Sequence, residues 1–276
     1  MPDVPPTPEV PPESESESES AGFPGIHALA GRGTPLSRDA YLAHFREEYP
    51  HSPLIDKLEV RQDFREPGYA PWEAAQRGDW AEALSLAESE RPALAGQYEQ
   101  AHARGARLRR VRFVELPPSD YLLWEMSILR LRAELGEEIR VHVMEHGRGV
   151  ARTEQAYVEQ PDIDIDRSDS RSADPAPDGR FVGGQAEDGL PGLQHPPPAH
   201  MPELVVLGTT ALYELRYTPE GDLDGAVRHT GRELIGACRR DIEQLLADGE
   251  ELLSFHDRVT APLLAARAGR DADHEQ

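Results

Sequence analysis

Residues 104–144 carry the clearest succession of apolar and polar positions in the chain, and they predict a strand, a helix and a second strand. Residues 108–114 are rich in β-branched and aromatic side chains. Val111 and Phe113 share one face of this segment, as the two-residue period of a strand requires. The proline pair at 117–118 ends the strand because prolines lack backbone donors.

The predicted helix begins after Ser119 or Asp120, either of which can cap it. Its apolar residues recur at spacings of four, three and four, which places them on one side. A glycine at position 136 suits the C′ position of the helix. The residues that follow alternate as in a half-buried strand, so the whole segment predicts a parallel βαβ unit with a right-handed crossover. The apolar positions are Leu122, Met126, Leu129 and Ala133 in the helix and Ile139, Val141 and Val143 in the second strand.

Helical and strand patterns on both sides of this unit predict further elements. Because strands and helices interleave, the predicted fold class is α/β or α+β, with a mixed sheet built on the central βαβ unit and flanked by helices. The further elements are a helix over 37–48, a strand over 54–60, a helical hairpin over 79–105, a β-hairpin over 203–217, a third strand over 226–229, and helices over 232–248 and about 252–268.

Two segments have the composition of disordered chain. Residues 1–36 form a tail rich in Pro, Ser and Glu, and residues 148–200 form an acidic insertion with Gly-Gly and triple-proline sequences. The remaining residues, 37–147 and 201–268, are predicted to complete one domain.

The chain has a net charge of −22 and one cysteine, Cys238, so an internal disulfide is excluded. We predict a cytoplasmic protein without a membrane span, because no basic and apolar leader and no apolar run of ~18 residues is present. Lys57 is the only lysine, which excludes a lysine-containing phosphate loop elsewhere in the chain. No cofactor motif is found.

Five arginines between positions 104 and 112 form the one basic concentration in this acidic chain. Alternation along the strand places Arg110 and Arg112 on the face opposite Arg109. With Trp124 nearby, these arginines are candidates for binding phosphates while an aromatic ring stacks on a base. The alternative is that they pair with carboxylates at the sheet edge, for which the candidates are Glu115, Glu125, Glu137 and Glu138.

The start of the central helix is a second candidate site, because open α/β sheets bind ligands at the carboxyl ends of their strands. Glu125 or Asp120 is a candidate catalytic base, Tyr121 a hydrogen-bond donor, and Ser119 a substrate-binding residue. The alternative is that Ser119 and Asp120 are helix caps, that Tyr121 lies at the core edge and that Glu125 pairs with an arginine.

Two histidines, His142 and His146, have the H-x-x-E-H spacing of a zinc motif that works on a helix. Here the segment alternates like a strand, on which the two side chains would stand about 13 Å apart. We therefore predict no metal site.

The segments RRVRFVELPPSDYLLWEM and LRAELGEEIRV, preceded by WEAAQRGDWAEAL and followed by CRRDIEQLLADG, resemble a family of actinomycete proteins. The resemblance covers about residues 58–144 and 203–262. Members of that family often lie beside helix-turn-helix regulators. The chain is also similar to transferases of azoxy natural-product (valanimycin-type) biosynthesis, and its later half is similar in pattern to a degenerate phospholipase-D-like half-barrel that lacks the catalytic His and Lys.

These resemblances imply two functions, of which the similarity to the azoxy-pathway transferases favours the first, with the second as the alternative. The first is an aminoacyl-tRNA-dependent transferase of secondary metabolism, which would move an aminoacyl group from charged tRNA to a small hydroxylamine or amine acceptor. The second is a non-catalytic regulatory or ligand-sensing module that works with a DNA-binding partner.

Overall fold

The computed structural model of the chain describes residues 22–144 and 201–274. Its strands form one eight-stranded mixed sheet in the order β1-β7-β6-β5-β2-β3-β4-β8. The strands are β1 (Thr34–Ser37), β2 (Leu54–Glu59), β3 (Arg107–Glu115), β4 (Glu138–Met144), β5 (Glu203–Leu207), β6 (Ala211–Tyr217), β7 (Leu223–His229) and β8 (Glu250–Glu251). The mixed α/β fold expected from the sequence is confirmed.

Helices cover both faces of the sheet. They are α1 (Pro24–His27), α2 (Arg38–Glu48), α3 (Ala70–Gln76), α4 (Trp80–Ser89), α5 (Arg91–Ala103), α6 (Asp120–Glu134), α7 (Arg232–Asp248), α8 (Leu252–Phe255) and α9 (Ala261–His274). A π-helical turn, His256–Thr260, joins the last two and interrupts the single helix that the sequence predicted there.

The predicted βαβ unit is confirmed, since β3 and β4 are parallel neighbours that α6 connects. The Ser119 hydroxyl caps α6 by accepting the backbone N–H of Leu122 at 3.1 Å. Gly136 follows the helix with φ of 101°, a left-handed conformation that glycine adopts without a Cβ clash. Strand β2 extends the parallel part of the sheet on the other side of β3.

The α7 face of the sheet, which α7 and α1 cover, is mainly apolar. Leu58, Val111 and Phe113 from the central strands pack there against Ile235 and Ile242 of α7. The opposite face, here called the α6 face, is covered by α2, α5 and α6. Helices α3, α4 and α9 pack on the outer side of α6 through an aromatic and alanine-rich layer.

Order begins earlier than the sequence indicated, because residues 22–36 belong to the folded domain. Phe23 and Ile26 are buried in the core beneath α7, and the backbone N–H of Ile26 donates to Asp241 Oδ2 at 2.8 Å. Strand β1 then pairs with β7 at the edge of the sheet. The predicted boundary of the disordered tail, at residue 36, was therefore placed too late in the chain. Residues 1–21 and 145–200 lie outside the described residues, as do the predictions made on them.

Among the helices of the described residues, none is long and apolar enough to cross a bilayer. A cytoplasmic location stays a prediction. The half-barrel similarity is not confirmed.

Candidate functional site

Seven ionisable side chains meet between the central strands and α6. Lys57 and Glu59 of β2 lie beside Arg110 and Arg112 of β3 in the parallel register. The two-residue alternation places all four on the α6 face, away from α7. We call the group the ionic cluster; its members are Lys57, Glu59, Arg110, Arg112, Glu125, Glu137 and Glu203.

Arg112 is wholly buried and binds Glu125 of α6. Its Nε and Nη2 donate to Glu125 Oε2 at 2.9 and 2.7 Å. Its Nη1 donates to the backbone carbonyls of Arg61 and Phe113 at 2.7 and 3.2 Å. The guanidinium group is therefore saturated within the fold and closed to an external phosphate.

Arg110, which is 5% exposed, bridges two carboxylates. Its Nε donates to Glu137 Oε1 at 2.8 Å, and its Nη1 donates to Glu59 Oε1. Glu137 also accepts the Tyr98 hydroxyl. The second oxygen of Glu59, Oε2, is buried without a hydrogen-bond partner among the described residues.

Arg109 lies on the α7 face, as the alternation predicted, and binds Asp56 of β2 with its Nε at 2.6 Å and its Nη2 at 2.9 Å. Glu243 and Arg239 of α7 lie 3.5 and 3.6 Å from this pair. The three arginines expected to bind phosphates are thus buried and paired in the interior of the sheet, and they do not form an open basic groove.

Burial and neighbouring charges shift the pKa values of the cluster in opposite directions. Burial raises the pKa of Glu203 to about 7, against the opposing effect of Arg112 and of the backbone N–H groups of Val60 and Arg61, which donate to its carboxylate. Burial also raises the pKa of Glu125, although Arg112 opposes this shift. Burial acts the same way on Glu59, but the positive charges of Arg110, Lys57 and Arg112 together outweigh it and lower that pKa to about 2.

At the carboxyl ends of β2 and β3, the start of α6 is covered by aromatic rings. Tyr121 and Trp124 pack at 5.4 Å between ring centroids with their planes tilted by 60°, and Trp72 contacts both rings at 5.3 and 5.2 Å. Both α6 rings are buried, and the Trp124 indole N–H has no hydrogen-bond partner among the described residues. The stacking surface predicted for a base is therefore occupied by the protein's own aromatic side chains.

The other candidates at this end have structural partners. Asp120 is exposed and pairs with Arg267 at 2.6 Å. The Tyr121 hydroxyl donates to Glu66 at 3.4 Å, and burial raises the pKa of Tyr121 well above its ordinary value. Ser119 caps α6. Glu125 alone joins the ionic cluster, through Arg112.

A cavity of about 190 Å³ opens at the amino ends of β2 and β3 on the α6 face. Lys57 reaches it but makes no hydrogen bond or ion pair within the described part of the chain. The positive charge of Arg110, with a contribution from burial, lowers the pKa of Lys57 to about 8. The lining consists of Phe45, Tyr49, Ile55, Lys57, Leu108, Arg109, Arg110, Arg132 and Glu137.

A larger cavity of about 490 Å³ lies on the outer side of α6, between α4 and α9. Its lining is largely apolar, with Ser127 and His256 among the polar members. It does not reach the ionic cluster. The smaller cavity does, and it combines charged side chains with aromatic ones. Among the described residues, no group of three or more His, Cys, Asp or Glu side chains is placed to bind a metal ion.

Sequence reasoning missed Glu59, Glu203 and the role of Lys57. A signal was present in the strand sequence LIDKLEV, because Lys57 and Glu59 share one face of the strand, whereas Asp56 lies on the other. Glu203 could be placed beside Glu59 only once β5 was known to pair with β2.

Residues 44–165, less than half of the chain, match the model of a domain of unknown function (DUF6879). No curated protein and no solved structure matches the chain.

Proposed function

We propose that this protein is a non-catalytic ligand-binding module that regulates a DNA-binding partner. The observation that carries the proposal is the closure of Arg109, Arg110 and Arg112 into ion pairs with the protein's own carboxylates. A tRNA-dependent enzyme needs exposed cations for the acceptor stem, and a net charge of −22 repels a polyanion at long range. The small cavity beside Lys57 suits a small ligand instead.

The class of partner comes from the resemblance to actinomycete proteins that lie beside helix-turn-helix regulators. A ligand-binding module acts on such a partner only if the ligand has different affinities for the free and the partner-bound forms. The test is to co-express the chain with a helix-turn-helix regulator of the kind encoded beside those actinomycete proteins and to measure complex formation by size-exclusion chromatography. We expect a stable complex; two separate peaks over a range of concentrations would contradict the regulatory role.

The aminoacyl-tRNA-dependent transferase is the second candidate, and one observation favours it. Glu125 has a raised pKa at the start of α6, near the carboxyl end of β3, where a general base for an amine or hydroxylamine acceptor would lie. Under this function Glu125→Gln, which keeps a hydrogen-bond acceptor for Arg112, loses transfer while the protein remains folded, though less stable.

Binding of the purified protein to total charged and uncharged tRNA, at low and moderate salt, separates the two functions. A ligand-binding module gives no retention of a particular species, and any weak retention disappears with salt. Specific retention of one charged tRNA would overturn our proposal and support the transferase. As a matched pair, Arg107→Met removes an exposed arginine of β3 and Arg110→Met a buried one. Only Arg107→Met is expected to change weak, non-specific retention of tRNA.

A further inference from the structure

The cavity at the amino ends of β2 and β3 has an excess of positive charge. Lys57, Arg109, Arg110 and Arg132 line it, whereas Glu137 is the acidic side chain in its wall, and Arg109 is neutralised by Asp56. Glu137 is already committed, since it accepts hydrogen bonds from Arg110 and from Tyr98. Arg132 approaches Glu137 only to 4.0 Å.

Lys57 is the cation of this wall that makes no direct ion pair with a described residue, although Glu59 and Glu137 attract it from a greater distance. Every arginine on β3 that is buried beside it has a carboxylate within hydrogen-bond distance, but the ammonium group of Lys57 has none within the described part of the chain. Its strongest electrostatic interaction is repulsion from Arg110, which is larger than the attraction from either Glu59 or Glu137. An anion that enters the cavity would give Lys57 the direct ion pair that it lacks within the described chain.

The uncharged part of the lining is apolar and aromatic. Phe45 and Tyr49, at the end of α2 and just beyond it, lie 5.1 Å apart between ring centroids. Ile55 and Leu108 complete this side of the cavity. The volume of about 190 Å³ is below the ~300–1,000 Å³ of sites for drug-sized ligands, so the cavity suits a small organic acid.

We infer that this cavity binds a small organic carboxylate with a short apolar body. The carboxylate lies between Lys57 and Arg132, and the apolar body lies against Phe45 and Tyr49. A charged anchor combined with an apolar wall is the usual composition of a small-molecule site. This inference rests on the proposed ligand-binding function and names the ligand class.

The single lysine of the chain makes a direct test possible. Small acylating reagents such as the N-hydroxysuccinimide ester of acetic acid modify Lys57 and the α-amino group of the chain, which serves as the internal reference. The full-length protein is labelled near pH 8, where the lowered pKa of Lys57 leaves much of the amine uncharged. Labelling at the two positions is read separately by mass spectrometry after proteolysis.

Benzoate and isovalerate are the probes, and the uncharged benzamide and isovaleramide are their matched controls. We expect a saturating carboxylate to slow acetylation of Lys57 at least tenfold and to leave the α-amino group unchanged, while the amides protect neither. Unchanged labelling of Lys57 with every carboxylate, or equal protection by the amides, would overturn the inference. Equal protection by inorganic phosphate would also overturn it, because phosphate has no apolar body.

Thermal unfolding of variants provides an independent measurement. A ligand at 100 times its Kd raises the folded-to-unfolded ratio about 100-fold. We expect this stabilisation in the wild type and in Arg107→Met, an exposed arginine on the same strand outside the cavity wall. Lys57→Met should fold, because it removes an unpaired cation, and should lose the response. A full response in Lys57→Met would contradict the inference.

The labelling test of this cavity can fail without contradicting the proposed function, and the tRNA-binding test can contradict that function whatever the labelling shows. Binding of a specific charged tRNA would overturn the proposed function whatever occurs at Lys57. Failure of all carboxylates to protect Lys57, with the regulator complex intact, would overturn only the ligand class and site inferred here.

Discussion

On the α7 face, the central strands present Leu58, Val111 and Phe113 to the apolar side of α7, with the Arg109–Asp56 ion pair beside them, whereas on the α6 face the same strands present Lys57, Arg110 and Arg112. Apolar packing on the first face stabilises the fold without requiring a specific partner for each atom. On the second face each buried charge must recover its lost hydration from an opposite charge and from hydrogen bonds. A charge that lacks such a partner, as Lys57 does, therefore points to an interaction outside the chain.

The largest predicted effect is the loss of unfolding free energy when a buried cation is removed from the α6 face. Arg110→Met leaves Glu59 and Glu137 without their shared guanidinium group and should lower the free energy of unfolding by roughly 3–5 kcal/mol. Urea denaturation measures this change. Arg107→Met, which replaces an arginine whose side chain is 69% exposed, is the control and should stay within about 0.5 kcal/mol of the wild type. Similar losses in both variants would mean that Arg110 is not bound in the interior.

The second prediction concerns pH. Since the pKa of Glu203 rises from 4.5 to about 7 on folding, its contribution to stability is fully present below about pH 4.5 and is lost as pH rises through 7. At 1.36 kcal/mol per unit, the loss is roughly 3 kcal/mol. Glu203→Gln removes this component, so the difference in unfolding free energy between variant and wild type should grow over that range. A difference that does not change with pH would contradict the buried placement of Glu203.

The smallest effect is expected on the α7 face. Ile242→Val removes one buried methylene group and should cost about 0.5–1.5 kcal/mol. Because no charge is involved, the loss should be the same at pH 5 and at pH 8, as guanidinium or urea titrations can show. A loss that varies with pH would remove the contrast between the two faces.

Most of the fold could be predicted because its signals are local. The Ser119 cap, the spacing of Leu122, Met126 and Leu129, and the glycine at 136 identify α6 from neighbouring residues alone. The start of the domain was missed because Phe23 and Ile26 are isolated apolar residues after a long polar segment. Their burial depends on α7, more than 200 residues away in sequence.

The candidate site could be predicted only in part. Alternation along β3 correctly separated Arg109 from Arg110 and Arg112, and Glu125 and Glu137 were among the carboxylates considered as partners. The sequence suggested a position at the sheet edge, whereas β3 lies between β2 and β4. Strand order is a tertiary property, so neither the burial of these arginines nor the isolation of Lys57 follows from local pattern.

The central claim is that the arginines of β3 are bound to the protein's own carboxylates. A double-mutant cycle on Arg112→Met and Glu125→Leu, with unfolding free energies from urea denaturation, tests it most directly. We predict that each single variant is destabilised and that the double variant recovers part of the loss, with a coupling energy of roughly 2–3 kcal/mol. Additive losses with no coupling would show that Arg112 and Glu125 do not interact, and would return this arginine to the list of residues available for an external phosphate.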